Sequence, residues 1–483
     1  MNLELILPEI VLAGTAIAVI LLDLIIRRKA ILAAVGIAGL VVAAGFTVAM
    51  WGGGTQSIWN DLLAVDNYAL FFKLLFLGLA ALVILASTDY VAKFSRFRGE
   101  YYALILMATL GMMLMAAATD LISIFVALEL AAIPFYILVG FLRDKKSTEA
   151  SLKYVLLGGI ASAVLLYGMA LTFGFTGHTQ LSEIAGAIQG MSASSLVANP
   201  GLILGMVLLI AGFGFKIAAV PFQMWTPDVY EGAPTPVTMY LSVGSKAAGF
   251  AVILRVFYSA LGMPDALSLD WGMVFAVLAA GGMILGNIVA IQQTNIKRML
   301  AYSSIAHSGY IMIGLAAVGL SPAAALQTQS SLLFYVAAFA IADLAAFTAV
   351  IAISNKLNSD LIADYSGMSK RSPLLASALT ISLISLIGLP PAAGFIAKFY
   401  IFTGAVSSGL LWLVIVAVIT SVISAYYYLR VVKVMWLGEP AHEGRVPASG
   451  ALKLALAASS LGVLVLGVAP FLLIRLAEMA TIP

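Results

Sequence analysis

Fourteen stretches of membrane-spanning length dominate the chain. A helix needs about 20 apolar residues to cross the hydrocarbon core of a bilayer. Such stretches run at 4–25, 30–50, 69–88, 102–119, 120–141, 150–173, 201–220, 236–260, 271–291, 299–318, 325–353, 375–403, 409–429 and 452–474. Inside lipid every backbone polar group must be satisfied within the fold, and runs this long do so as helices. Composition agrees. Of 483 residues, 63% are hydrophobic and 10% charged, too few to give a soluble domain a polar coat. The expectation is an all-α polytopic membrane protein of about 14 helices. The first stretch has no basic segment before it and is followed by Arg27, Arg28 and Lys29, so it reads as an uncleaved helix.

Basic residues orient these helices. Of the 25 Lys and Arg, nineteen fall in the connections 27–29, 93–98, 143–153, 297–298, 356–371 and 430–453. With fourteen spans, all six connections share one face. Five more (Lys73, Lys216, Lys246, Arg255 and Lys398) fall inside helices, and Arg475 alone is left for the opposite face. The positive-inside rule makes the basic face cytoplasmic and puts both termini outside, in the periplasm of a bacterium. The net charge of +3 reflects this bias and gives no sign of a nucleic-acid partner.

Several chemistries are disfavoured. The chain has no cysteine, hence no disulfide framework, iron–sulfur cluster or zinc ribbon. His178, His307 and His442 are far apart, which argues against paired haem ligation. The longest connections, 174–200 and 430–452, are too short for a nucleotide-binding domain. Neither a G-x-G-x-x-G after a strand nor a Walker A motif is present. "GFGFK" at 212–216 lies in an apolar helix and reads as packing glycines.

Function therefore rests on the few charges inside the membrane. An ionisable group there costs several kcal/mol unless paired or hydrated. Glu129 lies near the middle of helix 5. Lys216 comes late in helix 7, just before Pro221. Lys246 is roughly 15 Å into helix 8 at 1.5 Å per residue. His307 sits mid-helix 10, and Lys398 follows the Gly388-Leu389-Pro390-Pro391 interruption of helix 12. Some of these charges have plain readings. Lys73 and Arg255, near helix ends, are expected to snorkel to the interface. Asp343 on helix 11 is open between a structural and a relay role, and His307 taken alone is a core histidine. Three lysines and a glutamate near mid-membrane are harder to assign to static pairing. Burial disfavours the charged form of any such group, and an approaching opposite charge restores it. A lysine whose carboxylate partner comes and goes is therefore a switchable proton site, and a neutral histidine can pass protons between such sites. Lysine is a poor metal ligand and no carboxylate cluster accompanies it, so a metal site is not expected.

The prolines mark broken helices. "VPFQMWTP" (220–227) interrupts helix 7 and "GLPP" (388–391) interrupts helix 12. Such breaks are tolerated in membranes where the freed backbone is buried in protein or lines a wet cavity. Corresponding breaks in two repeats point to a transport site. If helices 4–8 (102–260) and 9–13 (271–434) are five-helix units, the broken helix is the fourth in each, and Lys216 matches Lys398. Glu129 likewise matches His307. Five is odd, so the units would be inverted. The remaining parts are a three-helix segment, 1–101, and a last helix within 452–483.

Four stretches carry a resemblance: "EASLKYVLLGGIASAVLLYG" (149–168), "PFQMWTPDVYEGAPTPVTMYLSVGSKAAGF" (221–250), "NIKRMLAYSSIAHSGY" (295–310) and "LIGLPPAAGFIAKFYIF" (386–402). Together with the fourteen helices, they make the chain similar over its whole length to the subunit N family of antiporter-like membrane subunits in proton-pumping NADH:quinone oxidoreductase, respiratory complex I. The resemblance implies that Glu129 and Lys216 form a charge pair and that Lys246 and Lys398 continue a hydrated polar axis, with His307 a bridging group. It implies no redox centre in this chain: NADH, FMN, iron–sulfur clusters and quinone are expected in partner subunits. The expected neighbours are other antiporter-like and small membrane subunits, in a bacterial inner membrane. Lys398 separates this family from subunit M, which typically has glutamate there. Subunit L has a lateral C-terminal helix that is not found here. Gln223 replaces a common histidine, so a pH-sensitive role of that histidine is not expected. Two other readings fit the residues: a subunit of a multi-chain cation/proton antiporter, and a membrane scaffold whose buried charges are static pairs.

Overall fold

The computed structural model describes residues 3–26, 30–93, 97–191, 200–261, 265–321, 325–440 and 444–482. Arg27, Arg28, Lys29, Arg96, His442 and part of the 174–200 connection lie outside the described residues.

All fourteen expected helices are present. They are α1 (Leu7–Ile25), α2 (Ala30–Ala49), α3 (Asn67–Ser87), α4 (Arg98–Ala117), α5 (Leu121–Val139), α6 (Lys145–Thr176), α7 (Pro200–Lys216 and Trp225–Gly232), α8 (Thr235–Ser259), α9 (Asp265–Ile291), α10 (Ile296–Leu320), α11 (Ala325–Leu357), α12 (Pro373–Ile387 and Ala393–Ser407), α13 (Leu411–Leu437) and α14 (Gly450–Val468). Among the described residues, twelve are long and apolar enough to cross a membrane as single helices. The other two, α7 and α12, are the broken ones. A hairpin of β1 (Gln56–Ile58) and β2 (Leu63–Val65) joins α2 to α3. Short helices Leu181–Gln189 and Phe471–Met479 lie outside the spans.

Several helices start earlier than their apolar runs. α6 begins at Lys145 and α10 at Ile296, several residues before the expected positions. Their first turns are polar, and what starts them is the cap. Asp144 and Asn295 accept hydrogen bonds from free N–H groups of the first turn, as Asp66, Asp120 and Ser449 do for α3, α5 and α14.

The contacts sort the connections onto two faces. On one, Lys153 and Arg298 meet Asp228, Lys297 approaches Asp360, and Arg371 donates to Gly444 O. On the other, Gln180 donates to Asn60 O, Asn67 to Met479 O, and Gln329 meets Ile482. The described basic connections thus share one face, as the fourteen-helix count requires. Leu5 and Ile6 pack beside Ile58 and Val65 on the opposite face, so both ends of the described chain are there.

α8 is buried along its whole length, and α10 and α11 almost so. Around them, α5 and α6 turn Ile122, Val126, Ile133, Ile137, Leu152, Leu156 and Ile160 outward, an apolar rim suited to lipid. Inside the rim, α4 lies against α5 at Gly111, where a Cβ would fall 2.4 Å from Ala131 N. That close approach is one residue from Leu130, whose carbonyl loses its helical partner to Pro134. α5 nevertheless stays helical through the proline.

Candidate functional site

The first break begins at Lys216, the last residue of the first half of α7. Ala218 takes a left-handed conformation (φ 57°), and the chain runs through cis Val220–Pro221 to the second half. A helix that stops inside the membrane leaves its last carbonyls without partners. Here Trp225 Nε1 donates to Phe215 O (3.0 Å) and Ser308 Oγ to Ile217 O (2.7 Å). The Lys216 ammonium is therefore not needed as a cap. Its stem runs past Gly249 of α8, where a Cβ would lie 3.4 Å from Lys216 Cγ. "GFGFK" does serve packing: Gly212 lies against Leu165 and Gly214 against Phe222.

Glu129 and Lys216 are not in salt-bridge contact. Glu129 accepts a hydrogen bond from Ser162 Oγ instead. Ser162 and Lys216 line one small cavity of about 10 Å³ between α5, α6 and α7, with Tyr136, Tyr154 and Phe215. That volume is about one water probe. The charge pair implied by the resemblance is not in contact in this structure; Ser162, which holds Glu129, lines the same small space as Lys216.

Lys246 follows a π-helical turn, Leu241–Ser245, within α8. Such widened turns are frequent at functional sites. Its Nζ donates to Ser304 Oγ of α10 and lies 5.9 Å over the Tyr230 ring. One turn on, His307 is hydrogen-bonded through Nδ1 to the Tyr335 hydroxyl (3.2 Å) and stacks on Phe339 (4.8 Å). It is close enough to Lys246 and Lys398 to interact with both charges. The "SSIAHS" stretch of α10 therefore touches the α7 break, Lys246 and α11 together.

The second break holds its lysine differently. Gly388 (φ 90°) ends the first half of α12, and cis Pro390–Pro391 leads to the second. Lys398 Nζ donates to Ile387 O (2.8 Å), Leu386 O (3.3 Å) and Ser421 Oγ (2.7 Å), and lies 4.6 Å over the Tyr310 ring. The half-helix ends with free carbonyls and a partial negative charge, and the ammonium satisfies both. The two lysines thus do not stand at matching points. Lys216 ends the segment before its break, whereas Lys398 lies within the segment after its own.

Two further charges depart from expectation. Lys73 and Arg255 do not snorkel. Lys73 Nζ pairs with Glu9 at 2.7 Å, and Arg255 grips Asp66 with two 2.9 Å bonds, 4.7 Å over the Tyr68 ring. All four side chains are buried. Their partners sit at helix starts, Asp66 as the cap of α3 and Glu9 in the first turn of α1, and the fold carries those starts against the lysine and arginine.

On the basic face, Asp228 and Glu231 of the second half of α7 bind Lys153, Arg298 and Lys146. Burial pushes Asp228 up, but the hydrogen bonds from Lys153 and Arg298 outweigh it and hold the carboxyl below its usual range. Glu231 is lowered in the same way by Lys146 and Arg298.

This architecture is that of known proteins. The family described as NADH:quinone oxidoreductase/Mrp antiporter, TM matches residues 118–424. NADH-quinone oxidoreductase subunit N of Dehalococcoides mccartyi is 53% identical over 481 residues, covering 99% of each chain. The chain belongs to the subunit N family. A second subunit N, from Heliobacterium modesticaldum, is 44% identical over 489 residues, covering 100% of this chain and 99% of that one. A chain of the respiratory complex I from Thermus thermophilus with bound aureothin matches with a TM-score of 0.81 at 32% identity, covering 98% of this chain and 100% of its own. A chain of the Mrp complex from Dietzia sp. DQ12-45-1b reaches 0.86 at 23% identity over 99% and 97%, a likeness of fold alone.

The matched region contains both breaks, all five predicted site residues and Asp343. For a subunit N chain, the sequence reading missed the neutral partners: Ser162, Ser304, Tyr310, Tyr335 and Ser421. Ser304 was within reach, because it lies three residues before His307 and so on the same helix face.

Proposed function

We propose that this chain is the proton-translocating membrane subunit of an NADH:quinone oxidoreductase complex, and that Glu129, Lys216, Lys246, His307 and Lys398 carry the proton. The observation that carries this reading is the gathering of buried lysines and a histidine around α10, beside two helix breaks that free backbone polar groups in the middle of the fold. NADH, FMN, iron–sulfur clusters and quinone would belong to partner subunits of the complex. The membrane would be the bacterial inner membrane, with the basic face cytoplasmic and both termini periplasmic. The chain would comprise 1–101, two inverted repeats (102–260 and 271–434) and 452–483.

The switch is the Glu129–Lys216 pair. With the carboxylate in contact, the Lys216 ammonium is stabilised most; with it held on Ser162, as here, that support is weaker. Two unit charges at about 4 Å interact by about 4 kcal/mol at an effective dielectric of about 20. This is about a thousandfold in proton occupancy. Redox work in the partner subunits would set the pair open or closed, and the released proton would pass to Lys246, His307 and Lys398. Lys216→Ala tests this in the purified, assembled complex reconstituted in liposomes. Proton pumping and coupled quinone reduction are expected to fall to a small fraction of wild type. Undiminished pumping would remove Lys216 from the path.

A further inference from the structure

Asp343 on α11 is fully buried, and Oδ1 has no hydrogen-bond partner among the described residues. Its Oδ2 accepts from Ser242. Asp66 is held differently: both of its oxygens are engaged by Arg255, and Oδ1 also accepts from Ala69 N. A buried carboxylate with a free oxygen is costly, and such groups in native structures call for an explanation.

Position supplies one. Ser242 lies in the π-helical turn of α8, and Lys246 follows four residues later. Asp343 and Lys246 interact electrostatically without forming a salt bridge. Toward the basic face, α8 and α11 lead to a cleft of about 420 Å³ lined by Thr235, Asn295, Lys297, Ser354 and Asp360. From Ser354 to Asp343 is eleven residues of helix, about 16 Å, and from Thr235 to Ser242 about 10 Å. Three buried hydroxyls lie along these stretches: Thr238, Thr348 (which reaches Met239 Sδ of α8 at 3.6 Å) and Ser242. A hydroxyl both donates and accepts, as a proton relay needs.

We propose that Asp343 is the carboxylate that loads Lys246 with a proton drawn from the basic-face cleft. This rests on the assignment of Lys246 to the proton path. The cycle starts with Asp343 ionised and Lys246 a neutral amine. A proton from the cleft side binds Asp343 Oδ1, and an O–H bond forms. That bond then breaks as an N–H bond forms on Lys246 Nζ, leaving carboxylate and ammonium. Lys246 gives the proton onward and the starting state returns, with one proton in and one out.

The test uses the whole complex in liposomes, with NADH oxidation by a soluble acceptor as the measure of assembly. Asp343→Asn keeps the size and can still accept from Ser242, but cannot carry a proton. Pumping and coupled quinone reduction should fall at least tenfold, with soluble-acceptor activity unchanged. Asp343→Glu should restore at least a third of wild-type pumping. Adding Asp343→Asn to Lys246→Ala should cost nothing further. Pumping by Asp343→Asn above half of wild type, or an assembled Asp343→Glu as inactive as Asp343→Asn, overturns the loading role. If Lys246→Ala is inactive while Asp343→Asn pumps, only this role fails. If Lys246→Ala pumps normally, the assigned path fails with it.

Discussion

Gly388→Ala places one methyl group where the second break and its lysine meet. Gly388 sits at φ 90°, ψ 40°, a conformation in which a side chain costs about 1–2 kcal/mol. The new Cβ would lie 2.8 Å from Lys398 Cδ and 3.4 Å from Nζ, so the lysine must move. Nζ now donates to Ile387 O, Leu386 O and Ser421 Oγ. Losing one such charged hydrogen bond costs about 1.5–3 kcal/mol, roughly a ten- to hundredfold change in the occupancy of the site by a proton. The expected result is an assembled complex, slightly less heat-stable, whose initial rate of proton pumping in liposomes falls by about tenfold or more. Pumping within twofold of wild type would refute the argument that the break holds Lys398 in its working position.

Asp66→Ala leaves the buried Arg255 charge without its carboxylate, with only Ala116 O still accepting from Nε, a loss of about 3–5 kcal/mol; thermal unfolding should show it, and the double variant Asp66→Ala/Arg255→Met should recover part of the loss. Asp228 and Glu231 have folded-state values below their unfolded ones, so the stability they lend is complete above the ordinary carboxylate range and lost as pH falls through the lowered folded values. Limited proteolysis of the 220–232 segment should therefore be flat from neutral pH to about 5 and rise below about 4, and Asp228→Asn should weaken that step.

Much of the fold was legible because a membrane imposes one length and one polarity on every helix. Apolar runs located all fourteen, and the breaks at Pro221 and Gly388 were visible as prolines and glycines in otherwise apolar stretches. Helix starts were not, since polar caps such as Asp144 and Asn295 begin α6 and α10 ahead of their apolar residues. The charged site residues stood out against the apolar background. Their states did not: that Glu129 rests on Ser162, or that Lys398 caps its own broken helix, depends on neighbours 33 and 11 positions away. Lys73 and Arg255 were misread for the same reason, because Glu9 and Asp66 lie far off in sequence and reach them only through packing. The π-helical turn before Lys246 contains a single glycine, Gly244, which inside an apolar helix does not announce a widened turn.

The central claim is that protons pass through Lys246. The most direct measurement is the number of protons pumped per NADH oxidised by the assembled complex carrying Lys246→Ala, reconstituted in liposomes beside wild type. The account predicts a large loss of pumping together with coupled quinone reduction, while NADH oxidation by a soluble acceptor is retained. An unchanged ratio at an unchanged rate would contradict it.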